Sequence, residues 1–262
     1  MALLLAVSAA AQPPPKVVGS PAAEKPAILR EIGIDQRLNE RVPLDLTFRD
    51  EQGRTVRLGE YFGDRPVVLA LVYYECPMLC TQVLNGLVRA LRVVPLDAGR
   101  DFDVVAVSFD PDEGPELARA KKASYVEQYG REGSGPGWHF LTGGRDSIAR
   151  LTKAIGFRYT YDPKRDEFAH GAAITVLTPA GVISRYFYGI EYAPRDVRFG
   201  IVEASANRVG SIADQILLFC YHYDASTGRY SFTVLTLVRI GGLLTIAAFG
   251  IFLWYERKRA TP

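Results

Sequence analysis

The sequence predicts an α/β domain whose central sheet is covered by helices on both faces, joined to a C-terminal transmembrane helix. Residues 66–74 (PVVLALVYY) and 102–109 (FDVVAVSF) are continuous apolar runs, which is typical of strands buried on both faces. A helical segment follows each run, at 81–94 and at 116–129. Strands that alternate with helices in this way specify a layered α/β sheet.

Two predicted hairpins flank this alternation. Residues 43–58 alternate apolar and polar side chains around the turn DEQG, which indicates two antiparallel strands. Residues 172–177 and 182–188 enclose the turn TPAG and predict a second hairpin. The other predicted elements are a strand at 138–141, a helix at 146–155 that Gly156 ends, and a helix at 195–220 with a break at Gly210.

The composition is that of a globular protein, with 48% apolar and 23% charged residues. The formal net charge is only +2, so the overall charge does not point to nucleic acid as a partner. Because the loops between elements are short, we expect one domain from 28 to 225. The Pro- and Ala-rich residues 12–27 are expected to form a solvated linker, and the apolar residues 1–11 are a candidate signal peptide.

The C-terminal segment is expected to cross a membrane. Residues 234–255 are predominantly apolar and carry one charge, on Arg239, and about 20 apolar residues are enough to span the core of a bilayer. The segment ends on a Trp-Tyr pair that suits a membrane interface, and three basic residues follow within 256–262. Since positive charge stays on the cytoplasmic side, the sequence predicts a single-pass protein of a bacterial-type cell membrane, with a cytoplasmic tail and a periplasmic domain.

A closely spaced pair of cysteines is the main chemical feature of the chain. Three cysteines in 262 residues are too few for a disulfide framework. Cys76 and Cys80 lie four positions apart where the first buried strand gives way to a helix, so both sulfurs can converge on one point. A helix N-terminus favours a thiolate over a thiol. Such a pair can bind a soft metal or close into a disulfide, and the pair alone does not separate these two interpretations.

Three runs of residues resemble motifs of the Sco/SenC family: 73–80 (YYECPMLC), 108–112 (SFDPD) and 168–171 (FAHG). The resemblance implies a thioredoxin-like fold over roughly residues 40–210. It also implies that Cys76, Cys80 and His170 bind one copper ion, as Cu(I) or Cu(II). The protein would then be a copper metallochaperone that supports assembly of the binuclear copper centre of cytochrome c oxidase, with the copper-receiving oxidase subunit as its partner.

The position of His170 in the sequence agrees with a role as a ligand. It precedes the predicted strand 172–177, and in thioredoxin-like folds the loop that leads into this strand passes beside the cysteine helix. An imidazole added to two thiolates suits copper in either oxidation state, and a site with three ligands leaves room for exchange with a partner. The chain departs from the common family pattern in its C-terminal anchor and in Ala169, where aspartate is frequent.

Other polar residues allow weaker predictions. Cys220 and His222 are expected near the membrane, either as packed side chains or as an auxiliary copper site or docking contact. His139 is expected to pack within a short strand, Asp110 to open an Asp-Pro turn, and Glu75 to be exposed.

The cysteine pair also allows a second function. A membrane-anchored thiol–disulfide oxidoreductase would use Cys76 and Cys80 as its redox pair to keep the cysteines of the copper-receiving subunit reduced, and His170 would be dispensable. Such a protein would be an enzyme, whereas copper delivery involves no turnover, and the sequence leaves this choice open. A thioredoxin-like peroxidase is disfavoured, because no activating Thr and Arg surround Cys76 in the usual pattern.

Overall fold

The computed structural model describes residues 31–76 and 79–209, the pairs 223–224 and 229–230, and positions 240, 242, 244–245 and 249–250. The helices are α1 (Leu79–Val93), α2 (Pro115–Tyr129), α3 (Arg145–Ile155) and α4 (Pro194–Ser205). The strands are β1 (Gly33–Ile34), β2 (Thr47–Arg49), β3 (Thr55–Arg57), β4 (Val67–Val72), β5 (Asp103–Ser108), β6 (Trp138–Leu141), β7 (Phe157–Asp162), β8 (Glu167–His170), β9 (Ala173–Leu177), β10 (Ile183–Tyr188), β11 (Tyr223–Asp224) and β12 (Arg229–Tyr230).

A five-stranded sheet in the order β10-β9-β4-β5-β6 forms the centre of the molecule. Strands β4, β5 and β6 run parallel, and β9 is antiparallel to both β4 and β10. Every residue of β4 and of β5 is buried, as predicted from their continuous apolar sequences. The predicted hairpin over 43–58 is present as the antiparallel pair β2 and β3.

Helices cover both faces of this sheet. A Cβ atom added to Gly200 would lie 2.9 Å from the ring of Phe187, so α4 packs on the face of β10 to which Phe187 points. The neighbouring Tyr186 donates its hydroxyl hydrogen to the carbonyl oxygen of Ile155 at 2.8 Å, at the end of α3. Because adjacent residues of a strand point to opposite faces, α3 and α4 lie on opposite sides. The predicted α/β architecture with helices on both faces is confirmed.

A second, three-stranded sheet in the order β1-β7-β8 was not predicted. Strands β7 and β8 form an antiparallel hairpin in which Tyr159 pairs with His170. The aromatic residues Phe157, Tyr159 and Tyr161 alternate along β7, which is a strand signal. The hairpin therefore places His170 at the end of an ordered strand rather than in a free loop.

The last predicted helix of the domain is shorter than its sequence pattern indicated. Helix α4 ends at Ser205, and Asn207 adopts the left-handed conformation with φ of 54°. Asparagine tolerates this conformation better than most residues, and it stops the helical hydrogen-bond pattern. The prediction of a helix over 195–220 is therefore wrong for 206–209, and its remainder, with Cys220, lies outside the described residues.

Both predicted terminal segments fall largely outside the described residues. This applies to residues 1–30, which include the candidate signal peptide and the linker, and to most of 234–262. Among the residues that are described, no helix has the length and apolar character needed to cross a bilayer.

Close backbone packing fixes the helix that begins beside the cysteine pair. Gly86 lies in the middle of α1, and a Cβ atom at this position would be 1.9 Å from the carbonyl oxygen of Ile190. Only glycine permits this approach without movement of the backbone. The loop after β10 therefore packs directly against the middle of α1 and restricts its position.

We expect Gly86→Ala to lower the free energy of unfolding by about 2 kcal/mol, because overpacking outweighs the better helix propensity of alanine. Denaturant-induced unfolding followed by circular dichroism measures this change. Gln82→Ala, an exposed position on the same helix, is the matched control and should change stability by less than about 0.5 kcal/mol. An equal effect of the two variants would contradict the tight contact.

Candidate metal centre

The three predicted ligands converge at one edge of the central sheet. Cys76 follows β4 and His170 precedes β9, and the antiparallel pairing of β4 with β9 places those two strand ends side by side. The Sγ atom of Cys80 lies 3.1 Å from Nε2 of His170. The ligand atoms of all three residues lie within 4.8 Å of one another. Among the described residues, this is the one group of three or more Cys, His, Asp or Glu side chains close enough to hold a metal ion.

Backbone amides orient both sulfur atoms. Cys80 is the second residue of α1, and its N–H donates to the Sγ atom of Cys76 at 3.3 Å. The N–H of Tyr73 donates to the Sγ atom of Cys80, also at 3.3 Å. The first N–H groups of a helix have no partner within the helix, so a sulfur placed there is stabilised as a thiolate. The predicted effect of the helix N-terminus is therefore present at Cys76, whose sulfur accepts from the N–H of Cys80.

A hydrogen bond selects the protonation pattern of the histidine ring. Nδ1 of His170 lies 2.7 Å from the carbonyl oxygen of Gly171. Because a carbonyl oxygen only accepts hydrogen bonds, Nδ1 carries a proton, and Nε2 is the ring atom available to a metal ion beside the sulfur of Cys80. Tyr73, Phe109 and Phe157 surround the ring at centroid distances of 5.2–6.0 Å. Packing and hydrogen bonding thus hold His170 with its coordinating atom toward the cysteines.

The two cysteines differ in their protonation. The hydrogen bond with the Cys80 side chain lowers the pKa of the Cys76 thiol to about 3, and the backbone N–H of Cys80 acts in the same direction. Burial raises the pKa of Cys80 far above its ordinary value, and the neighbouring Cys76 sulfur acts in the same direction. The pair therefore consists of one thiolate and one thiol, and it is not joined by a disulfide.

The donor set fits a soft metal ion. Two sulfurs bound to one ion at about 2.3 Å each lie at most about 4.6 Å apart, so the observed spacing needs little movement. Thiolate ligands select ions such as Cu(I), and imidazole is a common copper ligand. Because a metal binds the deprotonated sulfur, binding would release the proton of Cys80. The donor set therefore suits a soft ion such as Cu(I).

Glu113 is a residue of the centre that the sequence did not predict. Its carboxylate accepts hydrogen bonds from the N–H groups of Tyr74 at 2.8 Å and Glu75 at 2.7 Å, and from the hydroxyl of Ser108. Burial raises the pKa of this carboxyl. The side chain therefore fixes the backbone that leads into Cys76. No sequence signal marks it, since its acidic loop looks like an ordinary turn.

The structure agrees with the weaker predictions for Asp110, His139 and Glu75, whereas Cys220 and His222 lie outside the described residues. Asp110 accepts a hydrogen bond from the N–H of Asp112 at 2.9 Å, as in an Asx turn. His139 lies within β6 and packs against the ring of Tyr61 at a centroid distance of 4.4 Å. The side chain of Glu75 is exposed.

The fold and the buried Cys-Cys-His group define a soft-metal-binding protein of mixed α/β architecture. The chain belongs to the SCO1/SenC family, whose model matches residues 35–202. This confirms the resemblance noted in the sequence. No curated protein matches the chain.

Solved structures share the fold. A candidate electron transfer protein from Aquifex aeolicus VF5 is 25% identical, with a TM-score of 0.58, and the match covers 67% of this chain and 98% of that one. BsSco, described as a member of the Sco family of cytochrome c oxidase assembly proteins with a disulfide switch, is 20% identical, with a TM-score of 0.51 and coverage of 66% and 97%. Arabidopsis thaliana ScoI with copper bound is 16% identical, with a TM-score of 0.50 and coverage of 62% and 96%.

The low pKa of Cys76 predicts an unusual pH dependence of alkylation. An ordinary thiol becomes about 1,000-fold more reactive between pH 5 and pH 8, because its thiolate fraction rises about tenfold per unit. Cys76 is already a thiolate at pH 5, so its rate with iodoacetamide should change less than about twofold. Mass spectrometry of the peptide that contains Cys76 gives this rate. Cys80→Ala removes the side-chain hydrogen bond that contributes most to the low pKa of Cys76, so its alkylation rate should again depend steeply on pH. A steep pH dependence in the wild type would contradict a low pKa for Cys76.

Removal of the Glu113 carboxylate should destabilise the segment before Cys76. We expect Glu113→Ala to lower the free energy of unfolding by about 1–2 kcal/mol, because the N–H of Tyr74 loses its partner. Glu113→Gln keeps one acceptor oxygen and should recover part of this loss. Glu116→Ala removes an exposed carboxylate from the same region and serves as the control in denaturant unfolding. Equal stability of Glu113→Ala and Glu116→Ala would refute this role.

Proposed function

We propose that the protein is a copper metallochaperone that binds one copper ion through Cys76, Cys80 and His170 and supports assembly of the binuclear copper centre of cytochrome c oxidase. The observation that carries the proposal is the convergence of two cysteine sulfurs and one imidazole nitrogen within 4.8 Å in a buried position. Membership of the SCO1/SenC family supports it. Copper binding by Arabidopsis ScoI and the oxidase-assembly family of BsSco point in the same direction.

The geometry suits uptake and release of a copper ion. Cys76 offers a thiolate, His170 offers the lone pair of Nε2, and Cys80 becomes the third ligand when it loses its proton. Three protein ligands leave a position open on the ion, so a recipient can add its first ligand before the carrier loses one. Return of the proton to Cys80 on release would restore the thiolate–thiol pair.

A thiol–disulfide oxidoreductase remains the second candidate function. The observation that favours it is the Cys76 thiolate beside the Cys80 thiol. In that reaction the Cys76 sulfur attacks a disulfide of the copper-receiving subunit and forms a mixed disulfide. Cys80 then loses its proton and displaces the second substrate thiol, so the substrate is reduced and the Cys76–Cys80 pair is oxidised.

We propose that the protein acts at the outer face of a cell membrane. The support is the apolar sequence of 234–255 and the basic residues that follow it.

Copper binding by single variants separates the two functions. We expect the full-length protein in detergent to bind about one copper, and His170→Ala to weaken Cu(I) binding more than about 100-fold, since loss of groups outside the ligand set already costs 10–100-fold. Cys76→Ser should have a similar effect. Competition with a Cu(I) chelator measures these affinities.

His139→Ala is the matched control, because His139 is partly buried but lies away from the three ligands. It should bind copper as the wild type does. Full copper binding by His170→Ala, together with unchanged disulfide exchange, would instead favour the oxidoreductase.

A further inference from the structure

A groove of about 980 Å³ opens beside the metal centre. One wall is formed by Tyr73 and Glu75, which precede Cys76, and another by Phe168, two residues before His170. The remaining walls come from the loop after β5, the start of α3 and the tip of the hairpin of β7 and β8. The groove therefore contacts the segments that carry both types of ligand.

Tyr73 is the side chain shared by the groove and the metal centre. Its ring lines the groove and makes edge contacts with Phe168 at 5.5 Å and with His170 at 6.0 Å between centroids. Its backbone N–H donates to the sulfur of Cys80. A segment seated in the groove would therefore lie against the residue that separates it from the ligands.

The ligands themselves are too buried for direct contact with a second protein surface. Cys76 is 7% exposed, Cys80 is 1% exposed and His170 is 6% exposed. A recipient of the metal has to approach through the side chains around them. The groove is a concave surface that adjoins these side chains.

The charges of the groove are predominantly negative. Five carboxylates and two guanidinium groups line it: Glu75, Asp110, Asp112, Asp166 and Glu167, against Arg145 and Arg165. Arg145 pairs with Asp112 at 3.8 Å. Within the described part of the chain, the carboxylates of Glu75 and Glu167 have no cationic partner. Glu75 follows Tyr73 by two residues, and Glu167 immediately precedes Phe168.

We propose that this groove is the docking surface for a basic segment of the copper-receiving protein, an inference that rests on the proposed function. Lysine and arginine side chains fit it by charge, and their cationic groups are also attracted to the faces of the aromatic rings that line it. Among these rings, Tyr161 is 48% exposed and its hydroxyl is held by Asp166. Docking there places the recipient next to Tyr73, whose backbone N–H is hydrogen-bonded to the sulfur of Cys80.

The test compares paired charge neutralisations in the full-length protein. Glu75→Gln with Glu167→Gln removes two groove charges, and Glu127→Gln with Glu132→Gln removes two exposed charges elsewhere. The probe is the soluble copper-receiving domain of the oxidase subunit from the same organism, in its copper-free form. Stopped-flow mixing gives the association rate constant at about 50 mM and 200 mM salt, and copper transfer is followed in parallel.

We expect the groove variant to associate about five- to tenfold more slowly than the wild type at low salt, with a weaker salt dependence and unchanged Cu(I) affinity. The control variant should associate within about twofold of the wild type. Equal slowing of both variants would show steering by net charge alone, and no slowing of either would show another docking site; each result overturns the proposal.

The two proposals fail separately. Docking is measured with metal-free proteins and therefore does not depend on copper binding. If the protein binds no copper but the groove variant still docks more slowly, the copper function is refuted and the docking proposal is supported. Copper binding with docking that ignores the groove charges would do the reverse.

Discussion

The contact between the sulfur of Cys80 and the imidazole of His170 is the interaction on which the functional interpretation depends. The two residues are 90 positions apart, and three structural features bring them within 3.1 Å. Helix α1 carries Cys80, the pairing of β4 with β9 aligns the ends of those strands, and the hairpin of β7 and β8 delivers His170. Each feature follows from burial or backbone hydrogen bonding rather than from the cysteines themselves.

Burial and the hydrogen bond between the two cysteines set the chemistry of the pair. A buried site accommodates one negative charge more readily than two, so Cys76 is the thiolate and Cys80 retains its proton. The hydrogen bond between His170 and Gly171 fixes the orientation of the ring, with Nε2 toward the sulfur of Cys80. The centre therefore holds three donor atoms with only one buried thiolate. A bound cation would offset the second negative charge that forms when Cys80 loses its proton.

The sequence predicts most of the fold because the strands of the central sheet are continuous apolar runs and its helices have clear ends. It also predicts the ligands, through the resemblance of residues 73–80 and 168–171 to motifs of the Sco/SenC family. The hairpin of β7 and β8 was missed although its aromatic residues alternate. Glu113 could not be found in this way, because its partner Tyr74 is 39 positions distant and only the folded chain brings the two together.

The origin of the ligands in two separate sheets has a consequence for the whole domain. Cys76 follows a strand of the five-stranded sheet, whereas His170 ends a strand of the three-stranded one. An ion held by both would act as a cross-link that closes a loop of about 90 residues, and loop closure in the unfolded chain is entropically costly. A bound ion would thus stabilise the folded protein that carries it, and the protein would be less stable after the ion is released.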